Sequence, residues 1–240
     1  MVIIRYRTNK DMDVYFPKYN WTFYNTNYIT FKKGEIFCPY ERRFCRVGYL
    51  GEGKYKMSEK GKHTRTGSVW MSMLNRCYNE KLHIKHPSYK KCHVSEEFHN
   101  FQNFGDWDND NYYEIEGERM HLDKDILIKH NKIYSPDTCI YVPQTINGLF
   151  TKRDKGRGES CIGTSPLKNG KYQVNCCLLN PKTGKSKNEY LGLYETQEKG
   201  FEIYKYYKER NIKQVADYYK NVIPQELYQA MYFYEVEIDD

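Results

Sequence analysis

Met120-His121-Leu122-Asp123-Lys124-Asp125-Ile126-Leu127 is the stretch whose reading decides the fold. It is a short β-type run carrying two acidic groups. A turn-rich loop follows, with Asn131-Lys132 and Tyr134-Ser135-Pro136, then a second strand-like run, Cys139-Ile140-Tyr141-Val142-Pro143, then a helix start bearing Ile146-Asn147. The order is strand, loop, strand, helix. Carboxylate and amide oxygens are the ligands that hard divalent cations take. A cation held against a phosphodiester needs little else from the protein. Side chains alternate along a strand, so His121, Asp123 and Asp125 are expected on one face. The bland alternative for the two aspartates is a pair of solvated or turn-capping carboxylates.

Outward from this stretch the pattern is helical on the N-terminal side. Val69, Trp70, Met73, Leu74, Cys77 and Tyr78 recur at intervals of three to four, which predicts an amphipathic helix over 68–78. Ser95 is expected to cap a second helix, with Glu96 and Glu97 in its first turn where they suit the helix dipole. Phe98, Phe101, Phe104 and Trp107 fall every third residue and are expected to be core. Residues 1–65 look β-rich and irregular, with short runs such as Tyr28-Ile29-Thr30-Phe31 between turn signals at Lys33-Gly34, Cys38-Pro39 and Gly51-Glu52-Gly53.

On the C-terminal side, residues 151–160 form a basic, glycine-bearing linker that marks the clearest boundary in the chain. Three strand-like runs follow, near 161–164, 171–179 and 187–194, separated by turns at Lys168-Asn169-Gly170 and Asn180-Pro181-Lys182-Thr183-Gly184. Thr196 is a good N-cap for a helix carrying Phe201, Tyr204 and Tyr207, and further helices are expected from about 212 to 220 and from Pro224. The expected organisation is therefore a β-rich region over 1–65, a strand–loop–strand–helix domain with supporting helices over 66–150, the linker over 151–160, a β-β-β-α domain over 161–210 and a helical tail over 211–240.

Composition narrows the class. Of 240 residues 39% are hydrophobic, enough for a core, and Tyr alone numbers 25. Mean hydropathy is -0.90, and the apolar run after Met1 is only three residues long, so neither a membrane span nor a signal peptide is expected. A cytoplasmic protein is the expectation. The eight cysteines include no C-x-x-C pair, so buried thiols are favoured over disulfides or a zinc site. Net charge is +7, and two basic blocks, 1–65 and 151–190, flank an acidic stretch over 95–125. Basic blocks gather phosphate backbones, and this favours a nucleic-acid partner.

The words Trp70-x-x-Met73-Leu74-x-Arg76-Cys77-Tyr78, Phe98-x-x-Phe101-x-x-Phe104-x-x-Trp107, Leu122-Asp123-Lys124-Asp125-Ile126-Leu127, Asn131-Lys132-x-Tyr134-Ser135-Pro136-x-x-Cys139 and Val142-Pro143-x-x-Ile146-Asn147 occur in that order. Over about 70–150 the chain resembles HNH endonucleases of the homing type from phages and prophages. Ile162-Gly163, Gly170-Lys171-Tyr172, Leu191-Gly192-x-Tyr194-x-Thr196-x-Glu198 and Tyr204 resemble the Apetala/ethylene-response type of DNA-binding domain, which lays a three-stranded sheet on DNA. The resemblance implies an α+β fold, a ββα-metal core followed by a small three-stranded sheet packed on a helix.

It further implies a metal-dependent endonuclease or nickase acting on double-stranded DNA in the host cytoplasm, with Mg2+ (or Mn2+) as cofactor and a monomer favoured. Asp123 and Asn147 would be the metal ligands, and Asn131 would orient the base or pin the loop. Lys124 stands where the family has its histidine base. Lysine is a poor base at neutral pH unless its pKa is lowered. Three readings stay open: Lys124 stabilises transition-state charge while metal-bound water attacks; His121, Asp125 or His130 supplies the base; or the site is a retained fold without cleavage. In the last case the chain is a DNA-binding regulator or counter-defence factor. Arg153, Arg157, Lys171, Gln173, Asn175, Lys185 and Lys187 are the candidate DNA contacts.

Overall fold

The computed structural model of the chain describes residues 1–151 and 160–238. The fold is α+β, built from small sheets and mostly short helices. It forms two compact units. One comprises Met1–Tyr112 with Lys132–Asp137, the other Tyr113–Asn131 with Thr138–Asp240. The 66–150 segment is thus shared between them.

The first unit opens with an antiparallel sheet of β1 (Val2–Thr8), β2 (Asp11–Phe16) and β3 (Trp21–Thr26), in that order. Arg7 ties it together, bonding Asp11 and Asp13 at 2.6 Å each, and this pairing holds the Asp13 carboxyl down at about 2. The run Tyr28–Phe31, strand-like in sequence, lies instead in helix α1 (Tyr28–Lys32). Its local chemistry decides the matter: the Asn27 side chain accepts from Thr30 N–H, a helix cap that outweighs β-branched propensity. A hairpin of β4 (Ser58–Glu59) and β5 (Lys62–His63) leads into α2 (Arg65–Tyr78), which buries Trp70, Met73, Leu74 and Cys77 as its periodicity predicts. The start of α2 is held by Asp108, buried and bound by Arg65 and by the Thr66 hydroxyl.

After α3 (Glu80–Lys85) and β6 (His93–Val94), the expected single helix from Ser95 is two helices, α4 (Glu96–His99) and α5 (Phe101–Asn111). The break falls at Asn100, whose side chain caps α5 by accepting from Gln102 N–H. Ser95 occupies the N-cap position of α4 without making the side-chain cap bond. Phe98, Phe101 and Phe104 are fully buried, as the stripe predicts, and Trp107 is half-buried, its indole N–H donating to Pro136 O. The chain then forms β7 (Met120–Asp123) in the second unit and returns for β8 (Ile133–Tyr134), which pairs in parallel with β6.

In the second unit β7 pairs antiparallel with β9 (Ile140–Pro143), and α6 (Gln144–Asn147) follows at once. The C-terminal sheet has the order β10 (Thr164–Pro166), β11 (Tyr172–Asn180), β12 (Lys185–Tyr194). Helix α7 (Gln197–Tyr219) packs on this sheet and α8 (Gln225–Tyr232) packs on α7. Thr196 caps α7 by accepting from Lys199 N–H. Two glycines make the sheet–helix approach possible. At Gly163, with φ +79°, a Cβ would collide with the Tyr204 ring, and at Gly200 it would press on Val174 and Thr164. One core joins β9, α6, β11, α7 and α8, with Val142, Ile146, Val174, Val215 and Leu227 at its centre.

Helix α7 departs from the sequence reading in two ways. It runs unbroken through 211, where a new helix was expected, and its buried face is Gly200, Tyr204, Asn211, Ile212, Val215, Ala216 and Tyr219 rather than a 201/204/207 face. Tyr207 is exposed. Asn211 explains the continuity. It is buried, but its amide accepts from Leu179 N–H and donates to Leu179 O, both at 2.8 Å, so the polar group is satisfied by the edge of β11. Asn211→Ala would orphan both Leu179 groups, and an unpaired buried polar group costs about 1–3 kcal/mol. The variant is expected to lose on the order of 2–4 kcal/mol in urea unfolding and to exchange the Leu179 amide faster.

Candidate functional site

The site grows from the register of β7 on β9. His121 faces Val142 and Asp123 faces Ile140, so these two side chains share a face of the pair. Asp125 does not join them on the strand. The strand ends at Asp123, because Asp123 Oδ1 accepts the N–H groups of Asp125 and Ile126, both at 2.8 Å, and folds the chain into a turn. The other oxygen, Oδ2, makes no hydrogen bond among the described residues. Burial, and then the neighbouring Asp125 charge, push the Asp123 carboxyl up to about 6, against the pull of the two backbone bonds and of Lys124. A cation bound there would favour the ionised form.

Lys124 is buried, and its ammonium donates to Asp125 at 2.8 Å. Asn131 closes the loop, its side-chain amide donating to Lys124 O at 2.6 Å. That bond spans seven residues and fixes the turn carrying Lys124 and Asp125. His130, at φ +63°, lies away from this turn's hydrogen bonds, its ring paired with Glu237 at 2.7 Å. Asn147 is half-buried at the last position of α6, and its side-chain amide makes no hydrogen bond among the described residues.

Asp123 Oδ2 and the Asn147 side-chain amide thus each make no hydrogen bond among the described residues. Carboxylate and amide oxygens are the donors that a hard cation such as magnesium takes, with water and substrate phosphate completing its shell. Among the described residues no three His, Cys, Asp or Glu side chains cluster as a metal site.

No family model, no curated protein and no solved structure matches the chain.

The candidate DNA contacts scatter more than the sequence reading had them. Arg153 and Arg157 lie outside the described residues. Lys171 is paired with Glu195 and Lys187 with Glu189, each at 2.8 Å on the exposed surface. Gln173 and Asn175 lie two apart on β11, on one face. Lys187 stands opposite Leu178 and Lys185 opposite Asn180, which puts both lysines on the other face of that strand pair. The sheet is thus not one continuous reading surface for all five. Among the described residues no helix is long and apolar enough to cross a membrane.

Sequence reasoning passed over two cations in the second unit, Arg119 and Lys208, which line a common cavity. A signal for Lys208 was present. It stands between Tyr204 and Ile212 at spacing four, on the face of α7 that is otherwise buried.

Proposed function

We propose that the chain is a metal-dependent DNA endonuclease or nickase centred on the β7–β9–α6 element. The observation that carries this reading is the open Asp123 Oδ2 at the end of β7, with Asn131 closing the loop behind it and Asn147 on the helix that follows β9. A magnesium or manganese ion held by Asp123 and Asn147 would neutralise the scissile phosphate and stabilise the leaving oxygen. His121 shares the face of Asp123 and is assigned as the base. Its imidazole takes a proton from water as the water oxygen forms the new P–O bond. The bond from phosphorus to the leaving oxygen breaks, and that oxygen gains a proton from solvent. Lys124 is a donor here, paired with Asp125, and the structural logic assigns it to holding Asp125 and the turn.

The same Lys124–Asp125 pair favours a second reading. An ion pair standing where the family keeps its base is also what a non-cutting DNA-binding protein would tolerate. Incubation of the protein with supercoiled plasmid and magnesium or manganese, with and without chelator, decides between them. Chelator-sensitive nicking supports the enzyme, and intact plasmid with every metal leaves the binding protein.

Duplex binding is expected to draw on the C-terminal sheet lysines. Neutralising Lys171, Lys185 and Lys187 together should weaken binding and flatten its log–log salt dependence by about one unit per lost phosphate contact. Because Lys171 and Lys187 already hold acidic partners, the expected change is smaller than three units. An unaltered slope would remove the sheet from the DNA interface.

A further inference from the structure

A cavity of about 1160 Å³ opens within the second unit, between the stretch around Arg119 and α6 on one side and β11, β12 and α7 on the other. Its size suits an organic ligand rather than a small inorganic ion. Two cations line it. Lys208, itself half-buried, stands between the buried Tyr204 and Ile212 on α7. Arg119 is exposed and precedes β7. Among the described residues neither makes an ion pair or a side-chain hydrogen bond. Burial works against the Lys208 charge and pulls its pKa down, with only the Cys176 and Cys177 thiols acting the other way.

One carboxylate, Glu118, also lines the cavity, but it is engaged: Oε1 accepts from the Tyr219 hydroxyl at 3.0 Å and Oε2 from Thr145 N–H at 3.3 Å. The walls add amide side chains, Asn175 and Asn188, that can donate or accept. A half-buried ammonium with no ion pair among the described residues costs stability. It is retained at little cost only if something anionic completes it.

We propose that this cavity binds a phosphate ester of nucleotide size, with Arg119 and Lys208 engaging the phosphate and Asn175 and Asn188 facing the remainder. Arginine offers a planar fork to phosphate oxygens and lysine a point charge, and charge-assisted bonds of this kind are the strong ones. The same chemistry is supplied by a free nucleotide or by a nucleotide unit of a single strand. Neither proposed metal ligand, Asp123 or Asn147, lines the cavity, and the proposal does not depend on cleavage.

The test is calorimetric titration of the whole chain, in chelator and low salt, with thymidine 5′-monophosphate, with thymidine and with a ten-residue oligothymidylate. The nucleotide is expected to bind and thymidine is not. Lys208→Met and Arg119→Gln should each weaken the nucleotide by about tenfold or more, the loss of one charge-assisted bond. Lys62→Gln, on β5 in the other unit, should leave it unchanged. Lys208→Met should melt at or above the wild type, since it removes a poorly solvated charge and keeps the stem. If it fails to fold, Arg119→Gln on the exposed side carries the result. Competition by the oligonucleotide assigns the site to a strand, and its failure to compete assigns it to a free nucleotide. No nucleotide binding at millimolar concentration, or equal binding by wild type and both variants, overturns the proposal. Because chelator is present throughout, a chain that binds the nucleotide but cuts no plasmid upholds this site while removing the nuclease reading.

Discussion

An Asp123→Ala variant is expected to leave supercoiled plasmid uncut in magnesium or manganese while binding duplex DNA as the wild type does. The expectation follows from what the side chain does twice. Oδ2 is the open carboxylate oxygen of the site, and Oδ1 folds the Asp125–Ile126 turn. Removing both takes away the only charged ligand in the proposed pair and loosens the loop that Asn131 closes. Asp123→Asn separates the two roles, because an amide oxygen still accepts the turn bonds but carries no charge. It should keep the wild-type melting temperature and still fail to cut. His121→Ala should reduce cutting by roughly a hundredfold to ten-thousandfold, the usual worth of a general base. Cleavage by Asp123→Asn at the wild-type rate would remove the metal site from this element.

Phe101→Ala is expected to cost about 3–5 kcal/mol, the range for deleting a fully buried aromatic side chain. Phe101 has no exposed surface, and its ring centroid lies 5.2 Å from that of Trp70. Trp70 in turn donates its indole N–H to Phe98 O at 2.7 Å, so the hole left by the phenyl ring borders a hydrogen bond that joins α2 to α4. The surroundings cannot collapse into that hole without moving Trp70. Phe101→Leu fills most of the volume and should cost far less, below about 1.5 kcal/mol if the leucine repacks. Urea unfolding followed by tryptophan fluorescence reads both. A Phe101→Ala chain as stable as the wild type would mean the stripe is not the core of the first unit.

Much of the fold could be read directly from the residues, for identifiable reasons. Helix α2 and the Phe98–Phe104 stripe were legible because large apolar residues recur there every third or fourth position, although the break at Asn100 was not. The β7, β9, α6 order was legible because alternating apolar residues and Pro143 punctuate it. What escaped depended on partners far away in sequence. The parallel pairing of β6 with β8 joins residues about forty apart, and nothing local in His93-Val94 announces it. The unbroken run of α7 through 212, where a new helix was expected, goes with an Asn211 side chain satisfied by Leu179, thirty-two residues away. Asp125 reads as a third member of a strand face until Asp123 is seen to end the strand by capping the next turn. Lys124 reads as a site residue by position, and its burial and its pairing with Asp125 are features that the one-dimensional pattern could not reveal. Lys208 was the reverse case, a charge on an apolar stripe that helix periodicity alone could have singled out.

The bond pair between Asn211 and Leu179 has a bearing on how the protein behaves at high concentration. Strand β10 pairs with β11 only over Tyr172–Val174, and among the described residues no other strand pairs along the rest of that side. A bare strand margin is a template on which a second polypeptide can add itself, the first step of ordered aggregation. By occupying both main-chain groups of Leu179 from within the same molecule, Asn211 withholds that template near the end of the stretch that no strand pairs. A long, unbroken α7 is what delivers the amide there, so the continuity of one helix also guards the solubility of the sheet beneath it.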